Sequence, residues 1–330
     1  MVRNADPTMP LMSSARHIVV IGSANMDLVC RISRMPRGGE TVLGEGLGTI
    51  PGGKGANQAV AAAKLAKDTQ VHLLARVGDD DFGQRLLNGL VQHRVNTEHV
   101  TITEGVPSGC AVILVDKRGE NSIVVAPGAN ALLTSADVDR AGGLLAGAAA
   151  VVLQLEIPLE TVLHAIELCR QLGVPTILDP VPVPPRGLPR ELYRVDMLAP
   201  NQGEAELLVG RQRTHGVKSK KLRDPKQIAG TLVTRGPKTV VVKLGPRGAL
   251  IEGRDGHIER VRSFKVSVQD TTAAGDAFIG ALAVGESEGM PLRDSVRFAN
   301  AAGAACFTEF GAQPALPSRQ EVDRILKTRT

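Results

Sequence analysis

The chain has 330 residues, 43% hydrophobic and 22% charged with a net charge of +5, which suits one large α/β domain or two smaller ones. Trp is absent and Tyr occurs once, so the aromatic surface that stacks single-stranded nucleic acid is missing and no nucleic-acid partner is expected. Cys30, Cys110, Cys169 and Cys306 are far apart without a C-x-x-C pairing, and no run approaches the roughly 18 apolar residues of a membrane span. A reducing, cytoplasmic compartment without membrane contact fits that usage.

Residues 1–16 hold two prolines and no long apolar stretch, and read as a disordered extension ahead of a single domain at 17–330. His17–Gly22 is a short β-branched run ending in glycine, the pattern of a buried parallel strand. Ser23-Ala-Asn-Met-Asp27 follows it where a dinucleotide-binding protein would carry G-x-G-x-x-G. Asn25 and Asp27 offer the mixed donors and acceptors that a polyol needs; an Asx turn explains the same pair.

From Leu28 to Ile50 the segments are short and broken by Gly and Pro. Val29 to Ile32 and Thr41 to Leu43 flank a turn at Pro36–Gly39 and predict antiparallel strands outside the main sheet. A second such region, 105–125, places Cys110–Val115 and Ser122–Val125 around Asp116–Glu120. Together they predict a small sheet covering one end of the core and excluding water from it. Val112, Leu114 and Ile123 are apolar positions that predict a second covered face, and hence a homodimer through paired lids.

Between these regions lies Pro51-Gly-Gly-Lys-Gly-Ala-Asn-Gln58, running into the helical Val60–Ala66. Its glycines permit close backbone approach and Lys54 adds a point charge, but the P-loop spacing fails; a plain glycine turn is the alternative. The middle of the chain then alternates apolar runs at Val71–Ala75, Ala149–Leu153, Pro175–Leu178, Met197–Ala199 and Thr239–Val242 with helical segments such as Leu159–Leu172. Polar residues or glycine follow nearly every run, including Gln154, Glu156, Asp179, Asn201 and Gly245. In an open parallel sheet these positions share the carboxyl edge, where ligands bind.

Asn201 and Glu204 can form a capping pair or hold a hydrated Mg²⁺. Lys243–Gly248 ends a strand in a glycine turn leading to a hairpin at Ala249–Glu252. In Asp270-Thr-Thr-Ala-Ala-Gly-Asp-Ala-Phe278, small residues open a helix whose first-turn N–H groups favour an anion. Asp276 beside that anion suggests a base; the alternative is that Asp270 or Thr272 caps the helix and Asp276 favours its first turn. Ser295–Thr308 is a small-residue helix containing Asn300, before a turn at Gly311–Pro314.

Gly22–Asp27, Gly52–Gln58, Pro127-Gly-Ala-Asn130, Gln154-Leu-Glu156, Pro200–Glu204, Asp270–Asp276 and Gly311-Ala-Gln-Pro314, taken in order, resemble the ribokinase-like (phosphofructokinase B) family of carbohydrate kinases over nearly the whole chain. The resemblance implies a three-layer α/β/α, Rossmann-like, mostly parallel sheet with a β-sheet lid, and ATP-dependent phosphorylation of D-ribose at O5. It further implies that Asn25, Met26, Asp27, Gly53, Lys54, Gly55, Asn57 and Glu156 bind the sugar. Asn201, Lys243, Leu244, Gly245, Pro246, Arg247, Gly248, Gly275, Asp276 and Asn300 would hold ATP, with Glu204 ordering Mg²⁺ through water. Asp276 would be the base, and Ala273, Ala274, Gly275 and Asp276 would form the anion hole. A K⁺ site is implied at Asp270, Thr272, Cys306, Glu309, Gly311 and Ala315, the last being a position where a hydroxyl residue is frequent in the family. Arg211–Pro225 is longer and more basic than the usual loop. The alternatives are a fructose or nucleoside kinase of the same family, or a sensor that binds without turnover. The lid segments contain no Phe, Tyr or Trp, which disfavours stacking against a nucleobase.

Overall fold

The computed structural model describes residues 17–185, 187–210, 224–267, 269, 272–308 and 311–328. The expected extension at 1–16, most of the basic 211–225 segment, and the K⁺-site residues Asp270 and Glu309 lie outside these residues. The main sheet runs, from one edge, Ile258–Val261, Ala249–Gly253, Thr239–Lys243, Met197–Leu198, Thr176–Leu178, Ala148–Leu153, His17–Ile21, Gln70–Gly78 and Val95–Asn96. Val100–Thr103 also pairs with Gln70–Gly78. All of these pairings are parallel except the hairpin edge from Thr239 to Val261.

The central strand shows why the layers form. Along His17–Ile21 the side chains alternate between faces, with Ile18 and Val20 in one core and Val19 and Ile21 in the other. Both faces must therefore be covered by helices. Lys54–Leu65, Asp81–Gln92, Ala274–Ser287 and Leu292–Cys306 cover the first, while Leu159–Leu172, Gln202–Leu208 and Pro225–Val233 cover the second. Leu159–Leu172 has the predicted bounds and stops at Gly173, whose φ of 69° is left-handed.

One helix contact positions the site. A Cβ on Gly280 would lie 2.7 Å from Ala61 Cβ and 2.8 Å from Ala62 N, so only glycine lets Ala274–Ser287 approach Lys54–Leu65 this closely. That approach sets the first turns of the two helices side by side.

The second sheet has the order Gly44–Gly52, Asn25–Ile32, Gly109–Val115, Asn121–Ala126. The expected hairpin across Asp116–Glu120 is present, but Asn25–Ile32 and Gly109–Val115 pair in parallel. Thr41–Leu43 is not a strand; pairing begins at Gly44, and Leu43 is 87% exposed. Asn121–Ala126 is exposed throughout, and Val112, Ile123, Val124 and Val125 leave apolar surface uncovered on the lid.

Candidate active site

Asp276 lies in the first turn of Ala274–Ser287 and is buried. Its Oδ2 accepts from Asn57 Nδ2 at 3.2 Å and its Oδ1 from Gln58 Nε2 at 3.1 Å, while Lys54 Nζ stands 3.8 Å from Oδ1. Asn57, Gln58 and Lys54 all come from the start of the neighbouring helix, the approach that Gly280 permits. Before that helix Gly53 turns with φ 87°, where a Cβ would stand 2.6 Å from Asn25 N. Glu156 Oε2 accepts from Lys54 N at 3.1 Å and from Ser23 Oγ at 2.5 Å, tying the helix start to two sheet-edge loops.

Asn25 is buried, and its Oδ1 accepts from Asn130 Nδ2 at 2.7 Å. Asn130 also bonds the peptide groups of Ala24, accepting from its N–H at 2.9 Å and donating to its carbonyl at 3.1 Å. The Asn25 amide is thereby oriented with its N–H₂ as the group left for a ligand. Asp27 packs against Gly52, where a Cβ would stand 2.3 Å from its Oδ2. Burial, followed by the charges of Glu156 and Asp276, pushes the Asp27 carboxyl up to about 7. Lys54 is held above its ordinary value, first by Asp276. The buried Oδ1 of Asn57 has no partner among the described residues, so this end of the site presents an acceptor and a donor fixed in place.

A cavity of about 460 Å³ adjoins this cluster. Lys54, Asp276, Gly275, Ala274 and Ala273 form its inner wall, and Asn201, Glu204, Lys243, Gly245, Pro246, Gly248 and Asn300 continue it outward. Ala273 precedes the helix in a left-handed conformation, φ 59°, and among the described residues no side chain caps the first turn. The N–H groups of that turn are therefore left for an anion in the cavity. Asn201 caps its helix in a reciprocal pair with Glu204: Glu204 N donates to Asn201 Oδ1 at 2.8 Å, and Asn201 N to Glu204 Oε2 at 2.7 Å. Burial raises the Glu204 carboxyl above its ordinary value, with Lys243 opposing. Lys243 Nζ is bonded to Asp179 Oδ1 at 2.7 Å.

Several expected residues take other parts. Met26 is fully buried in the core, so its side chain is unavailable to a ligand. Gly55 is pressed against the turn after the first strand, where a Cβ would meet Gly22 C and Ser23 N at 2.6 Å. Leu244 is buried with the opposite helix layer, and Arg247 turns out to bond Gln202; neither lines the cavity. Thr272 is not the helix cap, which is Ala273. Its carbonyl accepts instead from Cys306 Sγ at 3.3 Å, bringing two of the expected K⁺-site residues together. Gly311 sits at φ 95° and Ala315 is buried in a short 3₁₀ turn.

Sequence reasoning left Gln58, Gln154 and Asn130 as letters within motifs and Asp179 as one polar residue among many at the sheet edge. Gln58, Gln154 and Asn130 find partners more than 90 residues away along the chain, as in Gln58 with Asp276 and Gln154 with Gln58, and Asp179 is joined to Gln58 and Lys243, 121 and 64 residues away. The apolar wall of the cavity is formed by Phe278, which closes the Asp270–Phe278 stretch, and by Val181, Ala304 and Phe307, which no motif marks.

The model of the pfkB family of carbohydrate kinases matches residues 15–319. The chain belongs to this family. Ribokinase of Schizosaccharomyces pombe is 39% identical, over 93% of this chain and 96% of that protein. Deoxyribokinase of Salmonella typhi is 36% identical, over 94% and 98%. Among solved structures, that of Arabidopsis thaliana ribokinase complexed with ribose and ATP matches with a TM-score of 0.83 at 32% identity, covering 96% of this chain and all of that one. The pfkB fold of main sheet, two helix layers and separate small sheet is therefore the fold of this chain.

Proposed function

We propose that this pfkB family kinase transfers the γ-phosphoryl group of ATP to O5 of D-ribose, giving D-ribose 5-phosphate and ADP. The observation that carries the reading is the setting of Asp276: a buried carboxylate, bonded on both oxygens, at the uncapped start of a helix that opens into the cavity. In this mechanism the sugar lies among Asn25, Asp27, Lys54, Asn57 and Glu156, with Gly53 shaping the turn. The triphosphate lies in the cavity along Gly275, Asn201, Lys243 and the Gly245–Gly248 turn, beside Asn300. Asp276 takes the proton of the 5-hydroxyl as its oxygen attacks phosphorus in line, the bond from phosphorus to the bridging oxygen breaks, and ADP leaves. The N–H groups at Ala273, Ala274, Gly275 and Asp276 stabilise the charge spread over the equatorial oxygens, and Lys54 adds its positive charge.

Glu204 supplies oxygen donors at the cavity wall, which suits a hydrated Mg²⁺ that keeps most of its waters; when bound, it neutralises phosphate charge. A K⁺ site at Thr272, Cys306, Gly311 and Ala315 is part of the proposal, supported by the contact of Cys306 Sγ with the Thr272 carbonyl just before the helix; a monovalent cation held there would steady the loop. The uncovered lid strands support a homodimer through paired lids, and the reading places the enzyme in the cytoplasm. Light scattering checks the dimer: Ile123→Lys should halve the mass, and an unchanged mass rules out the lid contact.

The deoxyribokinase relative favours a second acceptor, 2-deoxyribose, for the same chemistry. ADP release measured with ribose, 2-deoxyribose, fructose and adenosine, with and without K⁺, decides between them. Highest kcat/KM with ribose supports the proposal; preference for any of the others overturns the choice of sugar.

A further inference from the structure

Gln58 is fully buried, and each polar group of its amide is used. Nε2 donates to Asp276 Oδ1 at 3.1 Å and to Asp179 Oδ2 at 3.0 Å, while Oε1 accepts from Gln154 Nε2 at 2.7 Å. Asp179 is itself buried and holds Lys243 by its other oxygen at 2.7 Å. One amide thus spans two carboxylates from different elements, one on the helix that carries Asp276, the other at the end of the strand Thr176–Leu178 beside the nucleotide cavity.

The orientation of that amide is determined rather than free. Turned over, its oxygen would face both carboxylates, and its N–H₂ would face the N–H₂ of Gln154. Gln154 is fully buried, and its own oxygen has no partner among the described residues. It lies where a Cβ on Gly22 would fall, 2.0 Å from that oxygen. A buried amide with an unpaired acceptor is a cost the fold carries. Nothing in the packing of apolar neighbours requires it, since leucine is close to glutamine in size. What Gln154 does supply is a donor that sets the direction of Gln58.

We infer that Gln58 is a positioning residue for phosphoryl transfer, an amide strut locked by Gln154 that holds the Asp276 base and the Asp179–Lys243 pair at a fixed separation. This rests on the kinase reading above and deepens it. Without the strut, Asp276 loses a donor to its carboxylate and gains rotational freedom, and the nucleotide side is no longer tied to the acceptor side.

The test is a comparison of Gln58→Glu, which keeps shape and replaces the shared donor, with Gln154→Leu, which keeps the strut and releases its lock. Gln58→Glu should lower kcat about 100-fold with little change in KM for ribose, and should displace the acid limb of kcat/KM to higher pH. Gln154→Leu should cause about a tenfold loss with a displacement in the same direction. Circular dichroism and melting establish that each variant is folded; if Gln58→Glu is not, Gln154→Leu alone is read against the same criteria. A residue that only fills space would alter melting and leave the pH profile where it was, and that result in folded variants overturns the inference. Infrared spectroscopy of aspartate-labelled protein gives a readout without turnover, the pH at which the buried carboxylates take up protons. If wild-type protein turns over no sugar while this pH still rises in the Gln58 variant, the kinase reading falls and with it the role in phosphoryl transfer, and only the bridge between Asp179 and Asp276 is left.

Discussion

The two ends of the site are built differently. The acceptor end is made of buried side chains from separated parts of the chain, Asn25 held by Asn130, Glu156 by Ser23 and Lys54, Asp276 by Asn57 and Gln58. The nucleotide end is made of backbone turns and a capped helix start, at Gly245–Gly248 and Asn201–Glu204, beside an apolar wall. Side-chain amides and carboxylates fixed by partners discriminate among hydroxyl patterns, because a mismatched ligand leaves them unpaired. Backbone N–H groups bind any phosphate chain that reaches them. Selectivity should therefore reside at the first end, and tolerance at the second.

The largest break in this contrast is expected at Asp276. Asp276→Asn keeps the shape and removes the base, so kcat should fall by about 10³-fold or more while ribose still binds in calorimetry. Near-normal turnover would remove Asp276 from that role. Asp27→Asn comes next, with kcat/KM for the sugar falling about 100-fold and KM for ATP little changed.

Asp27 also has a signature without ligand. Its carboxyl rises from 3.8 to about 7 on folding, so between those values the unfolded chain releases a proton that the native protein keeps. Stability should decline as pH rises through that window and level off above it. Asp27→Asn should abolish this decline and melt ~5 °C higher than wild type at alkaline pH, with no such gain below the window. Equal melting curves at both pH extremes would contradict the assignment. The smallest effect is expected at the nucleotide end: Glu204→Gln should cost about tenfold in kcat and raise the Mg²⁺ concentration needed for half-maximal rate. A variant with an unaltered Mg²⁺ requirement would exclude Glu204 from ordering the ion.

The same contrast governed what could be read from sequence. The local structure at the proposed nucleotide end was legible because its parts are near in sequence: Asn201 and Glu204, a capping pair, are three residues apart, and the glycine turn follows its strand directly. The parallel sheet was legible from buried β-branched runs, and Leu159–Leu172 from its period and terminal glycine. At the acceptor end the motifs were visible but their joining was not. Nothing near Gln58 in sequence indicates that its amide lies between Asp179 and Asp276, because that placement depends on the close packing of two helices more than 200 residues apart. Thr41–Leu43 misled for a related reason, since a β-branched pair forms a strand only where a partner edge is within reach, and pairing there begins one residue later.

The uncapped first turn at Ala273 bears on more than binding. Half of the ten α-helices among the described residues begin with a side chain that satisfies a first-turn N–H, as Asp80, Thr134 and Ser318 do, whereas the helix carrying Asp276 leaves that task to whatever enters the cavity. Its opening turn is thus one whose hydrogen-exchange protection is set by occupancy. The helix that carries the proposed base should fray when the site is empty and tighten when phosphate oxygens arrive, making its own order a report of whether a reactant is in place.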